Sequence, residues 1–114
     1  MIRISTDDTK PVSIKRRKYK VVLEIDDTYA EGRNVRCYLY RARLHGTDRK
    51  RYFPDAAPTF SYSHTFQGEN FKNLDTLNMG EVIGHFTEEA KLQLEQYEQS
   101  KKTTALLQKK LNSI

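Results

Sequence analysis

Lys18-Tyr19-Lys20-Val21-Val22-Leu23-Glu24-Ile25 and Val35-Arg36-Cys37-Tyr38-Leu39-Tyr40-Arg41-Ala42-Arg43-Leu44 are the two runs that decide the fold. In the first, Tyr19, Val21, Leu23 and Ile25 fall on one side of an extended chain, while Lys18, Lys20, Val22 and Glu24 fall on the other. In the second, Val35, Cys37 and Leu39 alternate with Arg36, Tyr38 and Tyr40, and β-branched and aromatic residues on both faces suit a pleated surface. Between the runs, residues 26–34 hold two aspartates, Gly32 and Asn34, which favour a turn, so an antiparallel hairpin is the simplest connection.

A chain of 114 residues has room for one hydrophobic core, hence a single domain over 1–114. Charged residues make up 31% and the hydrophobic class 37%, a polar balance, but seven Tyr and five Phe supply enough burial area to argue against disorder. Cys37 is the single cysteine, which excludes a disulfide framework and a cysteine-rich zinc site and points to a reducing compartment. The first eight residues lack the apolar centre of a signal peptide, and no run approaches the roughly 20 apolar residues that span a bilayer. A soluble, cytoplasmic protein without a membrane partner is expected.

The net charge of +5 is unevenly spread. Residues 10–51 carry thirteen Lys or Arg against five acids, whereas residues 52–114 carry six against eight. The basic surplus therefore belongs to the hairpin region, and a concentrated basic surface implies an anionic partner, most often nucleic acid. The function expected is that of a small non-enzymatic nucleic-acid-binding accessory protein. Lys15, Arg16, Arg17, Lys18, Arg41, Arg43, Arg49, Lys50 and Arg51 are the candidates for phosphate contact, and Tyr38 and Tyr40 for base or sugar contact. The alternatives are a protein-interaction module, an adaptor, inhibitor or assembly component whose basic face meets an acidic protein surface and which also acts through the C-terminal helix, and, third, a small nuclease using a histidine and arginines without an obvious motif. Phosphate contacts carry affinity without sequence identity, so neither DNA nor RNA is singled out.

Elsewhere, Ile2 and Ile4 suit a short edge strand, and the aromatic alternation of Phe60, Tyr62, His64 and Phe66 suits a strand packed beneath a helix, with a base-stacking platform as the alternative. Main strands are expected near residues 12–25, 35–45, 50–53 and 59–67. Residues 69–78 read as a short helix ending before Gly80, and Val82-Ile83 as a brief strand or buried linker. Thr87 followed by Glu88 and Glu89 reads as the N-cap of a helix running to about residue 111, with Phe86, Ala90, Leu94 and Tyr97 as its buried stripe. The polar break from Gln99 to Thr104 leaves Leu106, Leu107, Leu111 and Ile114 without a floor in the chain. Residues 99–114 are accordingly expected either to protrude and bind a protein partner or second copy, or to fold back through a bend at Ser100. The resulting class is α+β, with a small antiparallel sheet of about four strands packed on one face by a C-terminal α-helix.

No catalytic centre is legible. His45, His64 and His85 lack the close spacing of metal ligands on one element, and Glu24, Asp26 and Asp27 are accounted for by turn chemistry. Pro54-Asp55 resembles the first half of a magnesium-nuclease signature, but in Glu69-Asn70-Phe71-Lys72 the lysine falls one position too far to project with the acid from a strand. Glycine-rich phosphate loops are absent, and no cofactor or metal is expected.

Overall fold

The computed structural model describes residues 1–46 and 48–114. Its strands are β1 (Ile2–Ser5), β2 (Val12–Ile14), β3 (Arg17–Ile25), β4 (Arg33–His45), β5 (Asp48–Pro54) and β6 (Phe60–Phe66). Helix α1 (Glu69–Lys72), a 3-10 turn at Leu74–Thr76 and helix α2 (Met79–Asn112) follow. This is an α+β fold, an antiparallel sheet packed on one face by the C-terminal helix.

The two central runs pair as their alternation requires, from Lys18 opposite Ala42 to Ile25 opposite Val35. Each outer edge of this pair is shared by two shorter strands. β1 and β2 lie in succession along β3, while β6 and β5 lie along the first and last parts of β4. The Tyr52 amide on β5 donates to the Asp8 carbonyl (2.9 Å) in the loop between β1 and β2, so the sheet curls until its edges approach. Val22 and Ala42, which point away from the helix, are buried by this curl.

The expected strand over 12–25 is two strands. Lys15 and Arg16 form a two-residue turn between paired Ile14 and Arg17, with φ of 47° and 67°. A turn with both central residues left-handed normally takes Asn-Gly, and nothing in Lys-Arg announces it. Each side chain there costs on the order of 1 kcal/mol in backbone strain.

Helix α2 also departs from expectation. It begins not at Thr87 but at Asn78, whose side chain accepts from the Glu81 amide (3.0 Å). Val82 and Ile83 are helical, and Thr87 sits inside the helix with its hydroxyl donating to the Ile83 carbonyl (2.7 Å). Gly80 and Gly84 cost roughly 1 kcal/mol each in a helix interior, which burial of Val82 and Phe86 in the same turns offsets. The expected helix over 69–78 is instead one α-turn and a 3-10 turn.

The helix-facing core is formed by Tyr19, Val21, Leu23 and Ile25 from β3 and by Val35, Cys37 and Leu39 from β4. Phe66, Phe71, Val82, Phe86, Ala90 and Leu94 pack over them. Burial pushes the Cys37 thiol up to about 12, so it stays protonated and inert. Within the aromatic strand, Phe66 is buried, Phe60 and Tyr62 are half-buried and His64 is exposed. Tyr97 was expected in the buried stripe but is 55% exposed, because the buried stripe of the helix ends at Leu94.

Beyond Leu94, α2 continues straight through Gln99 to Thr104 without a bend at Ser100. Its 34 residues span roughly 51 Å, whereas the nine residues of β3 span roughly 30 Å. The last part of the helix therefore overhangs, and Leu106, Leu107, Leu111 and Ile114 are all more than half exposed.

Gly32 is fixed by close approach: a Cβ there would lie 2.5 Å from Thr65 Cγ2. The next residue, Arg33, is 2% exposed with no carboxylate partner among the described residues. Its Nε donates to the Phe71 carbonyl (3.0 Å), one terminal nitrogen to Asp26 (2.8 Å) and the other to Lys72 (2.7 Å). The guanidinium also lies 5.8 Å from the centre of the Tyr29 ring. One side chain thus ties the β3–β4 loop and α1 to the sheet.

Candidate functional site

The register of β3 against β4 sets Tyr19 opposite Arg41. Odd-numbered residues of both strands face the helix, so Arg17, Arg41 and Arg43 continue the same side past the point where the hydrophobic core ends. They converge with Tyr19, Asp55 and Thr59 around a cleft of about 390 Å³. Arg41 is anchored: one terminal nitrogen donates to the carbonyls of Lys18 (3.1 Å) and Ala42 (3.0 Å), and the guanidinium lies 5.9 Å from the Tyr19 ring centre. Arg17 and Arg43 are exposed. Asp55 is the carboxylate in this lining, and its amide donates to the Arg41 carbonyl (2.8 Å).

A second cleft of about 410 Å³ shares Arg17 and Thr59 with the first and continues between β6 and α2. Phe60, Gln93, Leu94 and Tyr97 complete its lining. The Lys101 ammonium stands 4.6 Å from the Tyr97 ring centre. Guanidinium groups thus lead into an aromatic and apolar groove, a sequence of surfaces that suits an anion attached to a planar ring.

The other expected contacts are distributed around this end of the sheet. Lys15 is held to the helix, with its ammonium 3.3 Å from Glu95 and 4.0 Å from Glu98. Arg16 is exposed at the tip of the strained turn. Arg49 and Lys50 are exposed on β5, and Arg51 pairs with Asp8 (3.2 Å) while its guanidinium lies 5.6 Å from the centre of the Phe53 ring.

Lys18, Tyr38 and Tyr40 are half-buried on the opposite side of the sheet. On that side Asp8 pairs with Lys20 (3.3 Å) as well as Arg51, and Glu24 pairs with Arg3 (3.6 Å). Lys20 and Arg51 hydrogen-bond the Asp8 carboxyl and hold it below the usual carboxylate range. The expected phosphate and base contacts are therefore split between two surfaces, and the tyrosines do not line the arginine cleft. The rings nearest the arginine cleft are Tyr19 in its own lining and Phe60 and Tyr97 in the adjoining groove; strand and helix periodicity assign Phe60 and Tyr97 to a core.

His64 and His85 stack with ring centres 4.0 Å apart, against Phe66, and among the described residues no three His, Cys, Asp or Glu side chains gather to hold a metal. Burial, and secondarily the neighbouring His85, hold the His64 imidazole below its ordinary value, with Glu89 acting in the opposite sense. Above the ordinary value both folded and unfolded chains are neutral; as pH falls, the unfolded chain takes up a proton that the folded domain resists. Stability is thus expected to decline as pH drops below about 6.5. The melting temperature of the native chain should fall between about pH 7.5 and about pH 5.5 by more than that of His64→Phe; equal falls would show that the stack does not resist protonation.

Among the described residues, no helix is long and apolar enough to cross a membrane. Neither a protein-family model nor a curated protein nor a solved structure matches the chain.

Proposed function

We propose that this chain is a non-enzymatic nucleic-acid-binding protein whose contact surface is the arginine cleft and the groove that continues from it. The observation that carries this reading is the convergence of Arg17, Arg41 and Arg43 on one cleft that opens onto Phe60, Leu94 and Tyr97. Guanidinium groups match phosphate oxygens in a planar, bidentate geometry, and aromatic faces stack on bases without regard to sequence. The groove accommodates an unpaired nucleotide, so single strands are the preferred form. The strained turn at Lys15-Arg16 supports the same surface, since backbone outliers concentrate where function holds them. A cytoplasmic setting belongs to this proposal and rests on the single, buried thiol of Cys37.

A protein-interaction role is favoured by one separate feature, the exposed leucines of the overhanging helix. It is compatible with nucleic-acid binding because the two surfaces differ.

Electrophoretic mobility of short single-stranded DNA and RNA tests the proposal. With three phosphate contacts at roughly 0.7 each, affinity should fall roughly 15-fold between about 50 and about 200 mM salt, with little dependence on base sequence. Absence of a shift for single strands and duplexes alike at the lower salt would overturn it.

A further inference from the structure

Glu88, Glu95, Lys102 and Lys109 recur at seven-residue intervals along α2, two acids followed by two bases in one row. Glu88 and Glu95 are well exposed, while the buried stripe of Val82, Phe86, Ala90 and Leu94 faces the sheet. Read from its other end, the row runs base, base, acid, acid. It is complementary to itself only when reversed.

We propose that α2 pairs antiparallel with α2 of a second copy of this chain, forming a two-fold symmetric dimer. Glu88 then faces Lys109 of the second copy and Glu95 faces Lys102, and the symmetry repeats both contacts. The apolar residues follow the same register. Leu92, 52% exposed, is an outward apolar residue over the sheet-covered part of α2, and it comes beside Leu106 of the second copy. Leu106 of the overhang thereby gains an apolar neighbour.

A parallel arrangement sets Glu against Glu and Lys against Lys in the row, which disfavours it. An unrelated partner helix would not require this chain's own acids to be spaced as its lysines are. Glu95 is engaged by Lys15 of its own chain at 3.3 Å and Glu88 by Lys91 at 3.1 Å; both are exposed pairs that exchange at little cost. Gln96, Gln99 and Thr103 lie near the middle of the paired helices, so the contact is reversible rather than permanent. The two-fold axis passes beside Glu98 and Gln99. The groove lined by Leu94 and Tyr97, onto which the arginine cleft opens, thereby lies near the middle of the dimer.

Analytical ultracentrifugation of the full chain, with and without exchanged charges, tests this inference. The native chain should reach a dimer at concentrations up to about 1 mM. Glu88→Lys with Glu95→Lys should be monomeric, as should Lys102→Glu with Lys109→Glu, and an equimolar mixture of the two should dimerise again. Circular dichroism of each variant establishes that it is folded. Leu92→Cys mixed with Leu106→Cys should form an oxidised cross-link much faster than either alone, which distinguishes antiparallel from parallel pairing without altering charge. A monomeric native chain, dimerisation indifferent to the charge exchanges, or faster cross-linking of each cysteine variant with itself would overturn the proposal.

Discussion

Arg33→Met is expected to destabilise the domain by about 1 to 3 kcal/mol, read as a fall in the urea midpoint at nearly unchanged slope. The substitution keeps much of the aliphatic stem but removes the donors to the Asp26, Phe71 and Lys72 carbonyls. Leaving a buried acceptor unpaired costs about 1 to 3 kcal/mol, and the Phe71 carbonyl is such an acceptor, whereas the bonds to the Asp26 and Lys72 carbonyls are partly buried and within reach of water. Arg33→Lys should recover only part of the loss, because an ammonium on a single stem cannot reach three carbonyls arranged around a fork. A loss below about 1 kcal/mol would mean that the carbonyls find other donors or water.

Removing Arg17 and Arg43 together, as Arg17→Ala with Arg43→Ala, is expected to weaken single-strand binding by roughly 100-fold or more, since charge-assisted hydrogen bonds contribute about 1.5 to 3 kcal/mol each. Both side chains are exposed, so the fold should be unaffected. The dependence of log affinity on log salt should flatten from a slope of about 2 toward about 0.7, the value for the one remaining contact through Arg41. Fluorescence anisotropy of a labelled oligonucleotide across a salt series measures both quantities. An unchanged slope would place the phosphate contacts elsewhere, with the exposed Arg16, Arg49 and Lys50 as the next surface.

The central hairpin was legible because Tyr19, Val21, Leu23 and Ile25 repeat with a strand's period and Val35, Cys37 and Leu39 answer them. The break at Lys15-Arg16 was not, because the turn uses neither glycine nor asparagine and its strain is offset by tertiary structure. Gly80 and Gly84 concealed the first turns of α2, where local propensity is overridden by burial of Val82 and Phe86. Nothing in the sequence singles out Arg33; its burial depends on α1 arriving from nearly forty residues away. At the candidate site, the arginines could be named from charge alone, but their grouping depends on the register of Tyr19 against Arg41 and on where the helix stops covering the sheet. The same register separates Tyr38 and Tyr40 from the cleft. For residues 99–114 the sequence left protrusion and a bend at Ser100 both open, because helix and strand lengths follow from residue number but the packing of the segment does not.

The central claim, that nucleic acid is held in the arginine cleft, is tested most directly by mapping amide chemical shifts during titration with a short single-stranded oligonucleotide at low salt. The expected result is a continuous set of shifted amides at Arg17, Arg41, Arg43, Thr59, Phe60 and Tyr97, with the Tyr38 and Tyr40 side of the sheet unmoved. Shifts confined to the Tyr38 and Tyr40 side, or none at saturating oligonucleotide, would contradict it.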